Sequence, residues 1–280
     1  IGWAQDLRLD VDAEEISRST ASTYVSAVNQ VLRHVGRDDL ITSAKALGLN
    51  RGQRWDNRDR SNSADAREEF RAFIADKAER SIGRDRIVLE GLGHSIACQE
   101  SGGLRFRESC CAKLVGKDVA SGTLQLSGRE DRTKNARDRV PTLLDPVGVE
   151  NARRFITDHR TIYARGSLIP GDMSWRQYRR WVYEQVASFR SVTCIPYRLH
   201  GNRHAFAQER FSRLWEERAG VRLEPPCKIG IYQHTWMLYA AERTGHTLKQ
   251  TRSLDHDIRL IVSSDLGHGR LDVTSVYLGY

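Results

Sequence analysis

Side chains of types that bind phosphate lie in two short stretches of the sequence. In LHGNRHAFAQ, His200 and Arg203 are three residues apart at a predicted helix start, so both share one face near the positive end of the helix dipole. In GGLRFRESCCAKL, Arg105 follows a Gly-Gly bend, and Glu108 can hold its guanidinium, a planar fork suited to bidentate phosphate recognition. Arg107 is the alternative candidate for that role. Together the two stretches predict an anion-binding site.

A candidate nucleophile lies in the last stretch, LGHGRLDVTSVYLGY, where Tyr277 follows His268 by nine residues. A phenol has a reference pKa of about 10, so a nucleophilic tyrosine needs a proton acceptor and cationic surroundings. His200 and His268 are the candidate acceptors. The alternative interpretation is a final helix whose tyrosine only packs on the core. If Tyr277 is not the nucleophile, Tyr280 and Tyr239 are the next candidates.

These residue types suit attack on a phosphodiester. The phosphorus passes through a five-coordinate state whose non-bridging oxygens gain negative charge, which converging arginines and histidines would stabilise. The departing 5′-oxygen needs a proton, and Lys134, in the polar loop of RTKNARDRVP, is the candidate donor. Because the arginines supply the positive charge, we expect neither a metal nor another cofactor.

The charge of the chain favours a polyanionic partner. The 280 residues include 44 Lys and Arg against 36 Asp and Glu, a net charge of +8. Residues 1–60 carry as many acidic as basic side chains, so the whole surplus lies beyond residue 60. Phosphate contacts by basic side chains supply most non-specific affinity for nucleic acid, although charge alone does not separate DNA from RNA or an anionic membrane.

Cysteine usage and hydropathy indicate the cellular compartment of the protein. The five cysteines form no C-x-x-C pair and two of them are adjacent, which favours reduced thiols in a cytoplasm over disulfides or zinc. The sequence contains no 18-residue apolar run and no signal-peptide pattern, so we expect a cytoplasmic protein without a membrane partner. Because the chain begins with Ile1 rather than Met, we expect N-terminal sequence to be missing.

The sequence predicts two regions, with a boundary near residue 62. The stretch STASTYVSAVNQVLRHVG predicts an amphipathic helix over 20–35. Farther along the chain, the polar and basic stretch NRGQRWDNRDRSNS predicts a linker between the two regions. Its arginines are either solvated charge or a strap along a phosphate backbone, and the candidate DNA-binding residues are Arg51, Arg54, Arg58 and Arg60, together with Arg107.

Residues 63–280 are predicted to be mostly helical. Apolar spacing predicts helices in ADAREEFRAFIADKAER and RIVLEGLGHSIACQE, over 149–163 and over 175–189. GTLQLSG alternates like a strand and RVPTLL can pair with it, which predicts an antiparallel hairpin over 122–144. The predicted fold is therefore mostly α with a small antiparallel β-sheet.

Two stretches, GGLRFRE and RTKNARDRVP, resemble motifs of the tyrosine recombinase, or phage integrase, family. The family's TGLR-x-SE box is similar to GGLRFRE, which implies that Arg105 is the first catalytic arginine and Glu108 its acidic partner. Arg107 replaces the small residue usual in that box. The family's hairpin lysine, in a TKN or TKG context before R-x-VP, is similar to Lys134 in RTKNARDRVP.

The later stretches resemble the same family in the same order. Its H-x-x-R-H box, commonly HDLRHTFA, is similar to HGNRHAFA, which implies catalytic roles for His200 and Arg203 and a structural role for His204. Its LGH box followed nine residues later by the nucleophile is similar to His268 and Tyr277. The full ordered set spans residues 63–280.

The resemblance implies a fold, an activity and partners. The expected fold is a helical, SAM-like core-binding domain over 1–62, incomplete at its N-terminus, followed by a catalytic domain over 63–280. The expected activity is site-specific recombination by the integrase or excisionase of a phage or other mobile element, through a 3′-phosphotyrosyl intermediate. The expected partners are attachment sites in double-stranded DNA, three further copies in a tetramer and, optionally, a DNA-bending accessory protein.

One departure and two rival functions accompany this resemblance. The spacing between Arg203 and His268 is longer than the family commonly has, which predicts an insertion at about 215–255. Its Cys227 and histidines are spaced too irregularly for a zinc site. The rivals are a type IB topoisomerase, which relaxes supercoils with a similar residue set, and a DNA-binding protein of the same fold without catalysis.

Overall fold

The computed structural model describes residues 2–12, 18–49, 57–133, 136–268 and 271–279. The chain divides into two compact units, residues 1–56 and residues 57–280. In the first unit, helices α1 (Gly2–Asp12) and α2 (Arg18–His34) pack together, and a 3₁₀ turn follows at Asp38–Leu40. Its buried core consists of Leu7, Ala21, Val25 and Leu49. The predicted amphipathic helix over 20–35 thus corresponds to α2.

The second unit is an assembly of helices. Its first helices are α3 (Ala64–Glu79), α4 (Gly83–Gly102), α5 (Phe106–Cys111), α6 (Pro146–Asp158) and α7 (Trp175–Thr193). Then come α8 (Leu199–Ala219), α9 (Pro226–Ile229), α10 (Gln233–Thr244), α11 (Leu248–Asp265) and α12 (Leu271–Leu278). Helix α4 packs against α3, α6 and α8, and α12 packs against α8, α9 and α11. Helix α8 therefore lies between the two halves of the unit and can bring their side chains together.

Local sequence sets the helix boundaries. Ser63, Ser174 and Thr247 each accept a hydrogen bond from a backbone N–H in the first turn of α3, α7 and α11. Such caps satisfy amide groups that have no partner inside the helix. Gly103 follows α4 in the left-handed conformation, with φ of 58°, where a glycine is least strained. No described helix has both the length and the apolar composition that a membrane span requires.

The start of α8 is fixed by a residue of the segment that precedes α3. Asn62 is buried, and its side chain donates to the Arg198 carbonyl at 2.8 Å and to Asn202 Oδ1 at 2.6 Å. Its Oδ1 accepts from the Arg198 N–H at 3.1 Å. A Cβ at Gly201 would lie 2.4 Å from Asn62 Oδ1, so position 201 has no room for a side chain. The first turn of α8 is thereby held in one place.

The predicted small antiparallel β-sheet is wrong. Within the described residues, the 122–144 region has only two isolated antiparallel bridges, Thr123 with Thr142 and Leu126 with Arg139. Between them, the Leu124 N–H donates to the Pro141 carbonyl at 3.1 Å, but proline has no N–H with which to return the bond. The two segments therefore pair in the predicted direction without forming a continuous ladder.

Two glycines of α4 provide a test of the packing between α4 and the segment that follows α6. A Cβ at Gly91 would lie 2.0 Å from the hydroxyl oxygen of the buried Tyr163, whereas a Cβ at Gly93 would meet nothing within 4 Å. We expect Gly91→Ala to lower the free energy of unfolding by about 1–3 kcal/mol through overpacking. Gly93→Ala is the matched control and should raise it by about 0.5–1 kcal/mol, since alanine favours helix. Urea unfolding of both variants measures the difference, and equal effects would contradict this packing.

Candidate active site

Arg203 lies at the centre of the predicted site. It is fully buried on α8, which is unusual for an arginine. Its guanidinium donates to the carbonyls of Gly103 and Leu266, the residues that follow the last turns of α4 and α11. The C-terminal end of a helix carries partial negative charge and unpaired carbonyls, so these two ends form a suitable cage for a cation.

The same guanidinium contacts the candidate nucleophile and one candidate base. Arg203 Nε lies 3.3 Å from the Tyr277 hydroxyl, and Nη2 lies 3.1 Å from His268 Nε2. The guanidinium also lies over the Tyr277 ring, 5.7 Å from its centroid. Burial lowers the pKa of Arg203, yet a guanidinium stays protonated at neutral pH. A poorly solvated cation therefore lies against a phenol that is only 6% exposed.

Histidines surround the Tyr277 side chain. His200 Nε2 lies 3.4 Å from the hydroxyl, and the His268 ring centroid lies 5.3 Å from the phenol ring centroid. The His204 ring packs on the phenol at 4.4 Å between centroids. Burial and the positive charge of Arg203 lower the pKa of His200, so its imidazole is neutral at pH 7. A neutral imidazole beside the hydroxyl is able to accept its proton.

A carboxylate links two further arginines to this group. Glu108 is 1% exposed, and its oxygens lie 2.6 Å from Arg105 Nη1 and 2.6 Å from Arg139 Nη2. Burial alone would raise the pKa of Glu108, but the charges of Arg139, Arg105 and Arg203 lower it overall. Glu108 is therefore ionised, and it holds Arg105 and Arg139 in fixed orientations.

These groups border an open cleft. A cavity of about 220 Å³ is lined by Arg105, Arg139 and His268 among others. Arg105 keeps 22% of its side-chain surface exposed, whereas that of Arg139 is 5% exposed. The cleft thus offers an incoming anion the accessible guanidiniums of Arg105 and Arg137 and a histidine, His268, that contacts Arg203. An anion bound in this cleft would lie beside His268, which in turn contacts Arg203.

Two contributors were not among the predicted residues. Arg139 donates to the Asp265 carbonyl at 3.0 Å, and Asp265 accepts from Arg210 Nε at 3.0 Å and from the Thr142 N–H at 3.0 Å. The available signal was an arginine in the apolar RVPTLL segment, where a charged side chain needs a buried partner. Asp265 directly precedes the LGH stretch, but nothing in its spacing indicated a partner more than a hundred residues away.

Among the predicted DNA-binding arginines that the structure describes, Arg107 lies apart from the cluster around Tyr277, whereas Arg60 lies near its histidines. Arg107 lines a different cavity of about 480 Å³, and its guanidinium lies 5.9 Å from the Trp175 ring centroid. Arg58 and Arg60 are exposed in the segment before α3. Arg60 is close enough for its charge to contribute to lowering the pKa values of His200 and His204. Lys134, Arg51 and Arg54 lie outside the described residues.

The buried His204 gives the fold a measurable pH dependence. Burial, reinforced by His200, lowers its pKa to about 3, while its pKa in the unfolded chain is about 6.5. Both states are neutral at pH 7, but at pH 5 only the unfolded chain binds the proton. The stability that neutral His204 contributes is therefore complete above pH 6.5 and is lost as the pH falls towards 3.

We expect the unfolding free energy of His204→Asn to fall about 2 kcal/mol less than that of wild type between pH 7 and pH 5. Urea unfolding at both pH values measures this. The exposed His234 on α10 supplies the control, since His234→Asn should keep the wild-type pH dependence. The same fall in all three proteins would show that His204 is not held neutral.

Comparisons with known proteins find similarity in structure only. No protein-family model matches the sequence, and no curated protein matches it either. Among solved structures, XerH site-specific recombinase bound to palindromic difH substrate in a post-cleavage complex aligns at a TM-score of 0.57 and 17% identity, over 98% of this chain and 67% of that one. XerH in a pre-cleavage complex aligns at 0.54 and 17%, over 97% and 65%.

A third solved structure is also similar in fold. The Tn1549 transposon integrase in complex with circular intermediate DNA aligns at a TM-score of 0.51 and 13% identity, over 100% of this chain and 79% of that one. The chain thus spans about two thirds of the length of the XerH chains. At these identities the likeness concerns the fold, and the resemblance to tyrosine recombinases predicted from the sequence is confirmed at that level. The chain has the fold of the tyrosine recombinases.

Proposed function

We propose that this protein is a site-specific DNA recombinase that cleaves and rejoins DNA through a 3′-phosphotyrosyl bond to Tyr277. One observation carries the proposal. In a chain with the fold of XerH and the Tn1549 integrase, Arg203 and His200 both lie within hydrogen-bonding distance of the Tyr277 hydroxyl. A buried guanidinium and a neutral imidazole at one phenol hydroxyl are the groups that a tyrosine nucleophile needs.

We assign a role to each catalytic candidate. His200, neutral at pH 7, takes the phenol proton as the oxygen of Tyr277 attacks the phosphorus. The bond from tyrosine oxygen to phosphorus forms while the bond from phosphorus to the 5′-oxygen breaks. Lys134 gives its proton to that leaving oxygen. The second step runs in reverse, with a 5′-hydroxyl of the partner strand displacing the tyrosine, so no external energy source is consumed.

The arginines stabilise the charge that develops on the non-bridging oxygens. Arg105 is held by Glu108, keeps an accessible fork in the cleft and contacts the phosphate first. Arg203 donates to backbone carbonyls before substrate binds, so the phosphate must take over some of its hydrogen bonds. A buried cation gains more from an arriving anion than a solvated one does, which favours the transition state over free enzyme. Glu108 and His204 keep supporting roles, as contacts of Arg105 and of the phenol ring.

Double-stranded DNA is the proposed partner. The three solved structures are complexes with DNA substrates or intermediates, and the net charge of this chain is +8. We assign core binding to residues 1–62, with Arg51, Arg54, Arg58 and Arg60 on the DNA backbone, and catalysis to residues 63–280, with an insertion at about 215–255. Arg107 contacts DNA outside the catalytic cluster. Recombination of two duplexes requires four copies, and we place the reaction in the bacterial nucleoid.

Tyr277→Phe tests the nucleophile. A nicked suicide substrate that carries the attachment site of the host element should trap wild type as a covalent adduct on a denaturing gel. The phenylalanine variant lacks the attacking oxygen, so we expect DNA affinity within about twofold of wild type and no adduct.

An adduct that survives in Tyr277→Phe would move the nucleophile to Tyr239 or Tyr280. Tyr239 lies on α10 and is 38% exposed, so Tyr239→Phe is the matched control and should form the adduct normally. Relaxation of plasmids without an attachment site, in place of exchange between two sites, would indicate the topoisomerase activity. Absence of adduct in wild type would indicate a DNA-binding protein without catalysis.

Lys134→Ala tests the proton donor. A 5′-bridging phosphorothioate substrate releases a thiolate, which needs no proton, so it should restore the cleavage rate that Lys134→Ala loses on ordinary DNA. Arg203→Ala is the control, because it removes transition-state charge and should stay on the order of 10²-fold slow on both substrates. Cleavage rates from single-turnover time courses measure this, and failure of the rescue would remove the role of Lys134.

A further inference from the structure

The helix that bears Tyr277 is short. Helix α12 spans eight residues, Leu271–Leu278, and helices of that length are marginal without tertiary support. The last four carbonyls of any helix lack partners inside it. Here the Tyr277 carbonyl accepts from Cys227 Sγ at 3.3 Å and from Gln208 Nε2 at 3.5 Å. Side chains from other elements therefore determine where the end of α12 lies.

Arg259 of α11 provides the charged contact to this end. Its Nη1 lies 3.1 Å from the Gly279 carbonyl and 3.5 Å from Ser275 Oγ, so one nitrogen contacts residues on both sides of Tyr277. Arg259 is 4% exposed. A cation near a helix C-terminus is favourable, and a hydrogen bond from a charged donor is stronger than one from a neutral group.

Arg259 is itself fixed in place. Its Nε lies 2.8 Å from Oδ2 of Asp255, one turn earlier on α11, and Asp255 is 2% exposed. The guanidinium also lies 5.7 Å from the ring centroid of Phe211, a core residue of α8. Position 279 is equally confined, because a Cβ there would lie 2.6 Å from the Cys227 nitrogen. The contact between Arg259 and Gly279 thus joins a side chain and a backbone segment whose positions are both restricted by packing.

We propose that Arg259, held by Asp255, is a positioning residue that sets the place of the Tyr277 hydroxyl from the far end of α12. The inference rests on the proposed function of Tyr277 and goes beyond it by assigning a role to a pair outside the catalytic cluster. Arg203 contacts the phenol directly, whereas Arg259 acts through the backbone on either side of it. Two buried guanidiniums therefore hold the nucleophile helix.

A purely stabilising role explains the pair less well. Apolar residues of similar volume usually stabilise a core as much as a buried ion pair does. Moreover, Asp255 Oδ1 and Arg259 Nη2 have no hydrogen-bond partner among the described residues, which is a cost to stability. What an apolar pair does not provide is a directional donor to the Gly279 carbonyl. The pair therefore serves orientation at the expense of stability.

Arg259→Lys tests the proposal in the full-length chain. Lysine keeps the charge beside Asp255 but has one nitrogen, so it does not hold Asp255 and the end of α12 in the same geometry. Arg252→Lys is the matched control, because Arg252 is an exposed arginine on the same helix. Asp255→Asn is the second variant, which leaves Arg259 without its counter-charge. Thermal melting identifies the variants that are folded.

Two readouts separate positioning from folding. In single-turnover cleavage of the nicked substrate, we expect Arg259→Lys to be slower on the order of tenfold or more, with DNA affinity unchanged, because a small misplacement of a nucleophile lowers its rate strongly. In ¹⁹F NMR of protein labelled with 3-fluorotyrosine, the Tyr277 resonance, assigned by its loss in Tyr277→Phe, should shift or broaden. Arg252→Lys should match wild type in both.

A folded Arg259→Lys with wild-type cleavage and an unchanged Tyr277 resonance would overturn the proposal. So would an equal loss of rate in Arg252→Lys. If wild type forms no adduct, the proposed function fails. The fluorine spectrum still decides whether Arg259 positions the phenol, so the two failures are distinguishable.

Discussion

A buried guanidinium that must be satisfied is the constraint on which the candidate site depends. Arg203 has no solvent to hydrate it, so its donors need acceptors within the protein. It finds them at the ends of α4 and α11, through the carbonyls of Gly103 and Leu266, and at the phenol of Tyr277. One cation on α8 therefore contacts two stretches that are far from it in the sequence, the one at Gly103 and the one that holds Leu266 and Tyr277, and both bear predicted chemistry.

The nucleophile helix is held from both sides by the same kind of interaction. Arg203 contacts the phenol of Tyr277, and Arg259 contacts the backbone after it. Each guanidinium has a carboxylate in its neighbourhood, since Asp255 pairs with Arg259 and the charge of Glu108 acts on Arg203. Buried charges of this kind rarely add stability, so their presence on both sides of a short helix favours orientation as their role.

Much of the fold and site followed from local signals. Apolar periodicity predicted helices close to those observed at α3 and α7, because this signal acts within a few turns. The predicted sheet was wrong because Pro141, which has no N–H, interrupts the ladder that the alternation of GTLQLSG predicted. Arg107 lies away from the cluster because Arg105 directly precedes α5 and a residue two positions on faces another direction. The partners of Arg139 depend on contacts across the whole unit, which no local pattern encodes.

The most direct test of the central claim is the structure of this protein on nicked duplex DNA with orthovanadate in the gap, which mimics the five-coordinate phosphorus. The account predicts vanadium bonded to the Tyr277 oxygen, with Arg203 and Arg105 donating to its equatorial oxygens and His268 within hydrogen-bonding distance. Vanadium bonded elsewhere, or equatorial oxygens contacted by neither arginine, would contradict it.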